Sequence, residues 1–337
     1  MNIQKYSISL LLSFERNKTT SAVSRESGES QSTSSRFLKS LSITALDFVS
    51  QIKNLFGDNP VNLVTDDFVI SRRYSQETEG TSSMVDQSTK GFTNGIKIVA
   101  SGLTDGFFFL PLDFEQWIAQ FIMGKDYLTT TQVAEKLVLR ILELDIKIRY
   151  FVFDGLYFSE RFIKFLDNNN LLFTIKCKTT TKVLFKGKEI QLKDCPELRL
   201  NSNQNQKKIR AYWHGRKWYF IAIRRTGKHG EKVIFLIANF EAKSKVYRKA
   251  YDSRWTVEKF IRTGKQHLGL KDSGSQEATV YLNHIRCVFF AYIILQFIMK
   301  KFRLKSAEEA IEKAQAMKNK YKFSDLVEQF NLLVNHA

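Results

Sequence analysis

Five side chains able to bind anions or metal ions are concentrated in one short segment, YDSRWTVEKFIRTGK, residues 251–265. Each follows the previous one after three or four residues. At about 100° per residue, this spacing places them within about 80° of one helix face. A solvent-exposed ladder of i,i+4 ion pairs would explain the charges but not the phenol. The segment therefore predicts an anion-binding surface around one carboxylate. Its members are Tyr251, Arg254, Glu258, Arg262 and Lys265.

Two further carboxylates lie in positions where acids are costly. Asp66 falls inside the apolar segment VNLVTDDFVI, residues 61–70, and Asp154 directly follows the apolar segment at 146–153. Burying an unpaired carboxylate is strongly unfavourable, so each is expected to meet a cation or a metal ion. The ordinary alternatives are a helix N-cap or turn for Asp154 and a solvent-facing strand position for Asp66.

Three carboxylates on separate elements suit divalent metal ions, because Mg²⁺ prefers hard oxygen ligands. Cleavage of a phosphodiester needs an activated attacking oxygen and a stabilised leaving oxygen, and two Mg²⁺ ions about 3.5–4 Å apart can provide both. We therefore expect Asp66, Asp154 and Glu258 to be catalytic and to hold two Mg²⁺ or Mn²⁺ ions. Beside them, the other polar members of the 251–265 segment are expected to bind DNA phosphates. These are Tyr251, Arg254, Arg262 and Lys265.

The overall composition favours a nucleic-acid partner. The chain has 52 Lys and Arg against 34 Asp and Glu, giving a formal charge of +18 that is spread along its 337 residues. Such a surface attracts polyanions, although a basic protein without such a partner is the alternative. Three cysteines without a C-x-x-C pair predict neither a disulfide framework nor a zinc site. The apolar segment 288–299 is shorter than the ~20 residues that cross a bilayer, so a buried core helix in a cytoplasmic protein is expected.

The order of elements predicts an α/β fold with a ribonuclease-H-like mixed sheet and flanking helices. Three strands fall at about 61–70, 91–103 and 106–114, followed by a helix at 130–145, a strand at 146–153, a helix at 159–167 and a strand at 171–177. A polar loop is expected at 71–89. The following segment favours antiparallel strands, with turns at Lys186-Gly187 and His214-Gly215.

Four regions follow from this order. Residues 1–58 form a helical region that is a candidate for DNA binding, because 17–40 fits either a helix-turn-helix or a Ser-rich loop. The catalytic core comprises residues 59–179 and 247–305. The β-rich insertion is 180–246, and the C-terminal helical tail is 306–337.

The spacing Y-(2)-R-(3)-E-(6)-K, formed by Tyr251, Arg254, Glu258 and Lys265, resembles a known signature. It is that of bacterial insertion-sequence DDE transposases, in the group named after insertion sequence four. The resemblance covers about residues 60–300. Similar proteins carry one Asp in the first strand, a second Asp after the fourth strand, and the Glu beyond a β-rich insertion.

The resemblance implies that Asp66, Asp154 and Glu258 are the metal-binding triad, with Asp67 as the alternative first ligand. It also implies cleavage at the ends of a mobile element and strand transfer by the freed 3′-OH. The partners would be double-stranded DNA, at the terminal repeats and the target, and a second copy of the chain. Related proteins stack a Trp on a flipped base, for which Trp218 or Trp213 is the candidate, with packing between insertion strands as the alternative.

The resemblance implies a location in the bacterial cytoplasm at the nucleoid. Two alternative functions stay open at this point. One is a catalytically inactive relative that only binds DNA, and the other is a nuclease of the same fold without strand transfer.

Overall fold

The computed structural model describes residues 1–73, 77–86, 91–227 and 230–335. Parts of the expected loop 71–89 and the last two residues of the expected tail lie outside these ranges. Eleven strands in the described ranges form one sheet. They are β1 Val61–Ser71, β2 Ser82–Asp86, β3 Gly91–Thr104, β4 Phe109–Trp117, β5 Ile148–Phe153, β6 Phe173–Cys177, β7 Lys182–Phe185, β8 Lys188–Gln191, β9 Gln206–Trp213, β10 Arg216–Gly227 and β11 Gly230–Ala238.

Helices cover the sheet and build both terminal regions. In the described part of the chain they are α1 Ile3–Leu12, α2 Thr20–Ser27, α3 Gln31–Ser40, α4 Val49–Phe56, α5 Gln120–Met123, α6 Thr130–Leu142, α7 Glu160–Asn168, α8 Ser244–Asp252, α9 Trp255–His267, α10 Ala278–Phe302, α11 Ala307–Lys318 and α12 Phe323–Asn335.

The centre of the sheet has the expected ribonuclease-H-like arrangement. Strand β3 pairs antiparallel with both β1 and β4, and β5 lies parallel to β1 and to β6. Helices α6 and α7 make the crossovers that lead to the parallel strands. The predicted fold class is therefore confirmed. One difference is β2, which adds a short strand beside β3 within the segment expected to be a loop.

The β-rich segment extends the central sheet. Strand β11 pairs antiparallel with β6, and β10, β9, β7 and β8 follow outward from it. Both predicted hairpin turns are confirmed, because Lys186 and Gly187 have φ of 50° and 78°, and His214 and Gly215 have φ of 48° and 75°. Two successive positive φ values are typical of the tight turns that match the twist of paired strands.

The apolar C-terminal helix α10 is the centre of the helical layer. Its length and composition would suffice to cross a membrane, but 89% of its most apolar 18-residue window is buried inside the protein. Helix α1 packs along it, where the Ser7 hydroxyl donates to the Cys287 carbonyl at 2.8 Å and the Tyr6 hydroxyl lies 3.0 Å from His284 Nδ1. The expected buried core helix is therefore confirmed, and the N-terminal region shares its core.

Helices α2 and α3 form a helix-turn-helix shape, which is one of the two alternatives left open for residues 17–40. Gly28 ends α2 with a φ of 72°, and the Ser30 side chain caps α3 by accepting from the Thr33 backbone N–H at 3.1 Å. Arg36 and Lys39 are exposed on α3. Lys39 pairs at 2.7 Å with Glu277, the exposed residue directly before α10. This geometry favours the helix-turn-helix and not the Ser-rich loop. DNA binding by α3 stays a prediction.

Gly102 supplies a testable packing constraint at the bulge where β3 meets β4. A Cβ at this position would overlap the Phe109 ring and would come within 2.6 Å of the Leu110 carbonyl oxygen. Gly102→Ala is expected to lower the free energy of unfolding by about 1–3 kcal/mol, as overpacking does. Urea denaturation measures this change. Gly274→Ala is the control, because a Cβ there would meet no atom within 4 Å. Equal stability of the two variants would contradict the packing described here.

Candidate active site

The first two acids come together through the pairing of β1 with β5. Thr65 and Phe153 are partners in the parallel register; Asp66 follows Thr65 within β1, and Asp154 directly follows the last residue of β5. Their side chains are 17% and 32% exposed. Gly155 begins a short 3-10 turn directly after β5, so the chain turns away and leaves the Asp154 carboxylate beside its neighbour.

The segment 251–265 contains a helix break, so the prediction of one continuous helix was wrong. Helix α8 ends at Asp252 and α9 begins at Trp255. The Ser253 hydroxyl donates to the Ala250 carbonyl at 2.6 Å, a local bond that competes with regular helix pairing. Ser253 and Arg254 keep right-handed helical dihedral angles, so α9 continues in nearly the same direction. The predicted face therefore survives the break.

Arg254 lies between the three predicted acids. Its Nη1 is 3.1 Å from Asp66 Oδ2, and its Nη2 is 2.5 Å from Glu258 Oε1. Its Nε is 3.9 Å from Asp154 Oδ1, which also accepts a hydrogen bond from the Tyr251 hydroxyl at 2.9 Å. Three acids from remote parts of the chain thus converge around one guanidinium, and the acid on α9 faces the two strand acids.

Two aromatic rings enclose this guanidinium. Its central carbon lies 5.6 Å from the centroid of the Tyr251 ring and 5.7 Å from that of Trp255, both within the range of cation–π attraction. Arg254 is only 8% exposed, yet its Nε has no hydrogen-bond partner. A buried unpaired donor is costly. The acids and rings therefore hold the arginine although one of its hydrogen-bond donors has no acceptor.

The environment separates the pKa values of the two strand acids. Burial raises the pKa of Asp66 to about 7, although Arg254 opposes the shift. Burial also acts on Asp154, but Arg254 and then Lys176 outweigh it, so the pKa of Asp154 lies below its usual value. For Arg254, burial is outweighed by Tyr251 and the surrounding acids, which hold its pKa above the ordinary value. The guanidinium therefore stays charged beside an ionised Asp154.

The structure separates the two candidates for the first acid. Asp66 contacts Arg254, whereas Asp67 pairs with Lys97 of β3 at 3.1 Å. Lys97 also donates to the Thr130 hydroxyl at 3.1 Å, which ties it to the start of α6. Both acids line the same cleft, but only Asp66 contacts Arg254. Asp66 therefore stays the expected first ligand.

Cations surround the acids in a cleft of about 720 Å³. The predicted Arg262 and Lys265 line this cleft, and Lys265 Nζ lies 5.7 Å from the centroid of the Phe68 ring. The sequence reasoning missed Lys97 and Lys176, of which Lys176 Nζ lies 3.8 Å from Asp154 Oδ1. A signal for both was present, because each is a charged residue with an apolar residue on either side of it in the strand.

Trp218 does not occupy the position expected of a base-stacking residue. It is 3% exposed, packs against Phe173 with ring centroids 5.8 Å apart, and donates its indole N–H to the Trp213 carbonyl at 3.1 Å. It begins the buried run of β10, where the strand faces the core. The alternative candidate Trp213 is half-buried and lines a separate cavity of about 700 Å³, with its ring 5.1 Å from that of Phe158.

The chemistry of the three acids fits divalent ions, but Arg254 lies in their midst. Within the described ranges, no three acidic, histidine or cysteine side chains lie close enough to hold a metal ion together. Carboxylate oxygens are nonetheless the ligands that Mg²⁺ prefers, and here three of these groups already converge on a single cation. Asp66, Asp154 and Glu258 are thus the residues that would hold such ions.

Comparison with known proteins agrees with this geometry. Residues 127–294 match the family model described as the transposase DDE domain. The matched segment includes Asp154 and Glu258, whereas Asp66 precedes it. A comparison with curated protein sequences found no match. Residues 127–294 are therefore similar to a transposase DDE domain, and this similarity supports a transposase-type function.

Proposed function

We propose that this protein is a DNA transposase of the insertion sequence four group. It would cut DNA at the ends of a mobile element and join the freed 3′-OH to a target. The observation that carries the proposal is the convergence of Asp66, Asp154 and Glu258 around one cation, in a cleft lined by lysine and arginine. The assignment to the insertion sequence four group rests on the Y-R-E-K spacing. The same proposal includes a homodimer that binds DNA, located at the nucleoid in a bacterial cytoplasm.

The side chains of the cleft divide into ion ligands and phosphate ligands. Asp66, Asp154 and Glu258 would hold two Mg²⁺ or Mn²⁺ ions, which when bound activate the attacking oxygen and stabilise the leaving oxygen. The Tyr251 hydroxyl orients Asp154 by its hydrogen bond of 2.9 Å. Arg262, half-exposed at the cleft, would bind a DNA phosphate.

Lys265, Lys97 and Lys176 also line the cleft and would add to its positive potential. A cleft that combines carboxylates with several cations suits a phosphodiester, because the acids hold metal ions while the cations neutralise the flanking phosphates. Trp213 beside its cavity is the remaining candidate for stacking on a base, since aromatic rings stack on bases of any sequence.

A basic and aromatic face on β9 and β10 supports a nucleic-acid partner. Lys208, Arg210 and Tyr212 alternate along β9 and therefore share one face of the sheet. Lys208 Nζ and the Arg210 guanidinium lie 5.5 and 5.3 Å from the centroid of the Tyr219 ring, and Lys217 Nζ lies 5.3 Å from that of Tyr212. We propose that this face contacts the DNA backbone.

Neutralising this face is expected to weaken DNA binding irrespective of sequence. In the triple variant Lys208→Gln, Arg210→Gln and Lys217→Gln, the slope of log K against log salt should become shallower by about 2–3. Fluorescence anisotropy with duplex DNA between 50 and 200 mM salt measures both the loss of affinity and the change in slope. The matched control neutralises three exposed lysines elsewhere, Lys301, Lys320 and Lys322. If the control lowers the slope as much as the triple variant, the assignment of this face is wrong.

The activity itself is tested with a supercoiled plasmid that carries the inverted repeats flanking the reading frame. We expect nicks at the repeat ends that require Mg²⁺ or Mn²⁺, followed by joined products formed through a 3′-OH. Nicks without any joined product would favour a nuclease of the same fold. Salt-dependent binding without cleavage under either ion would favour an inactive DNA-binding relative. Each of these two outcomes overturns the proposal.

A further inference from the structure

We infer that Arg254 is a resident counter-ion that leaves the carboxylate cluster when a DNA phosphate binds it, and that divalent ions then bind the freed acids. DNA and metal ions would therefore bind cooperatively. The inference rests on the proposed function, in which Asp66, Asp154 and Glu258 are the ion ligands.

The first argument is that the guanidinium and a divalent ion compete for the same oxygens. Two guanidinium nitrogens lie 3.1 and 2.5 Å from oxygens of Asp66 and Glu258, and the third lies 3.9 Å from Asp154. An Mg²⁺ ion would approach such oxygens to about 2.1 Å. Two cations on the same oxygens repel each other, and the repulsion is stronger in a partly buried site than in bulk water. The arginine and the ions therefore exclude each other.

The second argument is that Arg254 is held incompletely. Its Nε is buried without an acceptor, so one of its five donors is unsatisfied. A phosphate group accepts two parallel hydrogen bonds from a guanidinium, which would offset this deficit. Phosphate is therefore the ligand class that is able to draw this side chain away from the acids.

The third argument is that Arg254 lines the open cleft and lies beside an exposed ring. The Trp255 ring, which lies 5.7 Å from the guanidinium carbon, is 53% exposed. The arginine is thus covered by a ring at the protein surface, and an outward movement keeps the cation against that ring.

Cooperative binding follows from these arguments by thermodynamic linkage. A DNA phosphate and the divalent ions both favour the state in which Arg254 has left the acids, so each ligand raises the affinity for the other. Without DNA, the arginine lowers the affinity of the cluster for ions. The protein would then assemble a competent site chiefly where DNA is already bound.

The test measures Mn²⁺ affinity by isothermal titration calorimetry, using the full chain with and without a pre-cleaved duplex of the flanking repeat. For the wild-type protein, the duplex is expected to raise Mn²⁺ affinity by about 5–150-fold. Arg254→Gln should bind Mn²⁺ without DNA at least about tenfold more tightly than the wild type, and the duplex should add little. Arg140→Gln is the matched control, because Arg140 also bridges two acids, Asp113 and Glu115, outside the cleft. The Mn²⁺ affinities of Arg140→Gln, with and without the duplex, should equal those of the wild type.

The outcomes distinguish this inference from the proposed function. If Mn²⁺ binds the wild type equally well with and without the duplex, and Asp154→Ala removes that binding, the counter-ion inference is wrong while the ion site stands. If Asp154→Ala leaves Mn²⁺ binding unchanged in the presence of the duplex, the proposed function fails as well. Should Arg254→Gln not fold, a wild-type Mn²⁺ affinity that is the same with and without the duplex still overturns the inference.

Discussion

Asp154→Ala is expected to lower the rate of DNA-end cleavage by at least about 10³-fold, because loss of an ion ligand removes several kcal/mol of transition-state stabilisation. Asp154 sits at the end of β5 with its carboxylate directed at Arg254 and Tyr251. The variant should stay folded, since this side chain is one-third exposed and removing it creates no core cavity. Plasmid nicking in Mg²⁺, with circular dichroism as the folding check, measures the effect.

Asp167→Asn is the matched control for this experiment. Asp167 has a similar side-chain exposure of 29% and pairs with Arg216 at 2.5 Å, but it lies at the end of α7 outside the cleft. We expect its cleavage rate to remain within a few-fold of the wild type. Full activity in Asp154→Ala would refute the role assigned to this acid, whatever the control shows.

Trp218→Ala is expected to lower the free energy of unfolding by about 3–5 kcal/mol, the usual effect of removing a large buried ring. The indole packs on Phe173 of the central sheet, and its N–H satisfies the Trp213 carbonyl at 3.1 Å. Its loss creates a cavity where β10 meets the core and leaves a carbonyl without its donor. Denaturation in urea measures the change directly.

Trp213→Ala is expected to affect stability far less, by about 1 kcal/mol, because the half-buried ring loses mainly its stacking on Phe158. If Trp213 stacks on a base, its removal should instead weaken binding to the repeat end while the fold is kept. The opposite pattern would contradict the placement of the two rings. In that pattern, Trp218→Ala would be as stable as the wild type but defective in DNA binding.

Much of the fold could be predicted because its causes are local. The central strands are apolar and bounded by turn residues, and each hairpin turn, Lys186-Gly187 and His214-Gly215, places a glycine at the second of its two positive φ values. Asp66 and Asp154 could be selected because a buried acid needs a partner. In each case a short stretch of sequence contains the whole physical reason.

The remaining features depend on contacts between distant residues. Trp213 and Trp218 occur in similar aromatic strands, and the burial of Trp218 depends on its packing against Phe173 of the distant strand β6. Helix spacing gives the direction of Arg254 around α9 but not the partners that its side chain reaches. The choice between Asp66 and Asp67 likewise depends on Lys97 of β3.

The central claim is that three remote carboxylates share one set of divalent ions at a DNA end. Fe²⁺ in place of Mg²⁺, with added hydrogen peroxide as oxidant and ascorbate to regenerate Fe²⁺, generates hydroxyl radicals that cut the polypeptide close to the ion. With the repeat duplex bound, we predict backbone cuts near residues 66, 154 and 258 in the same sample, all lost in Asp154→Ala. Cuts near only one of these positions, or cuts that persist in the variant, would contradict a shared site.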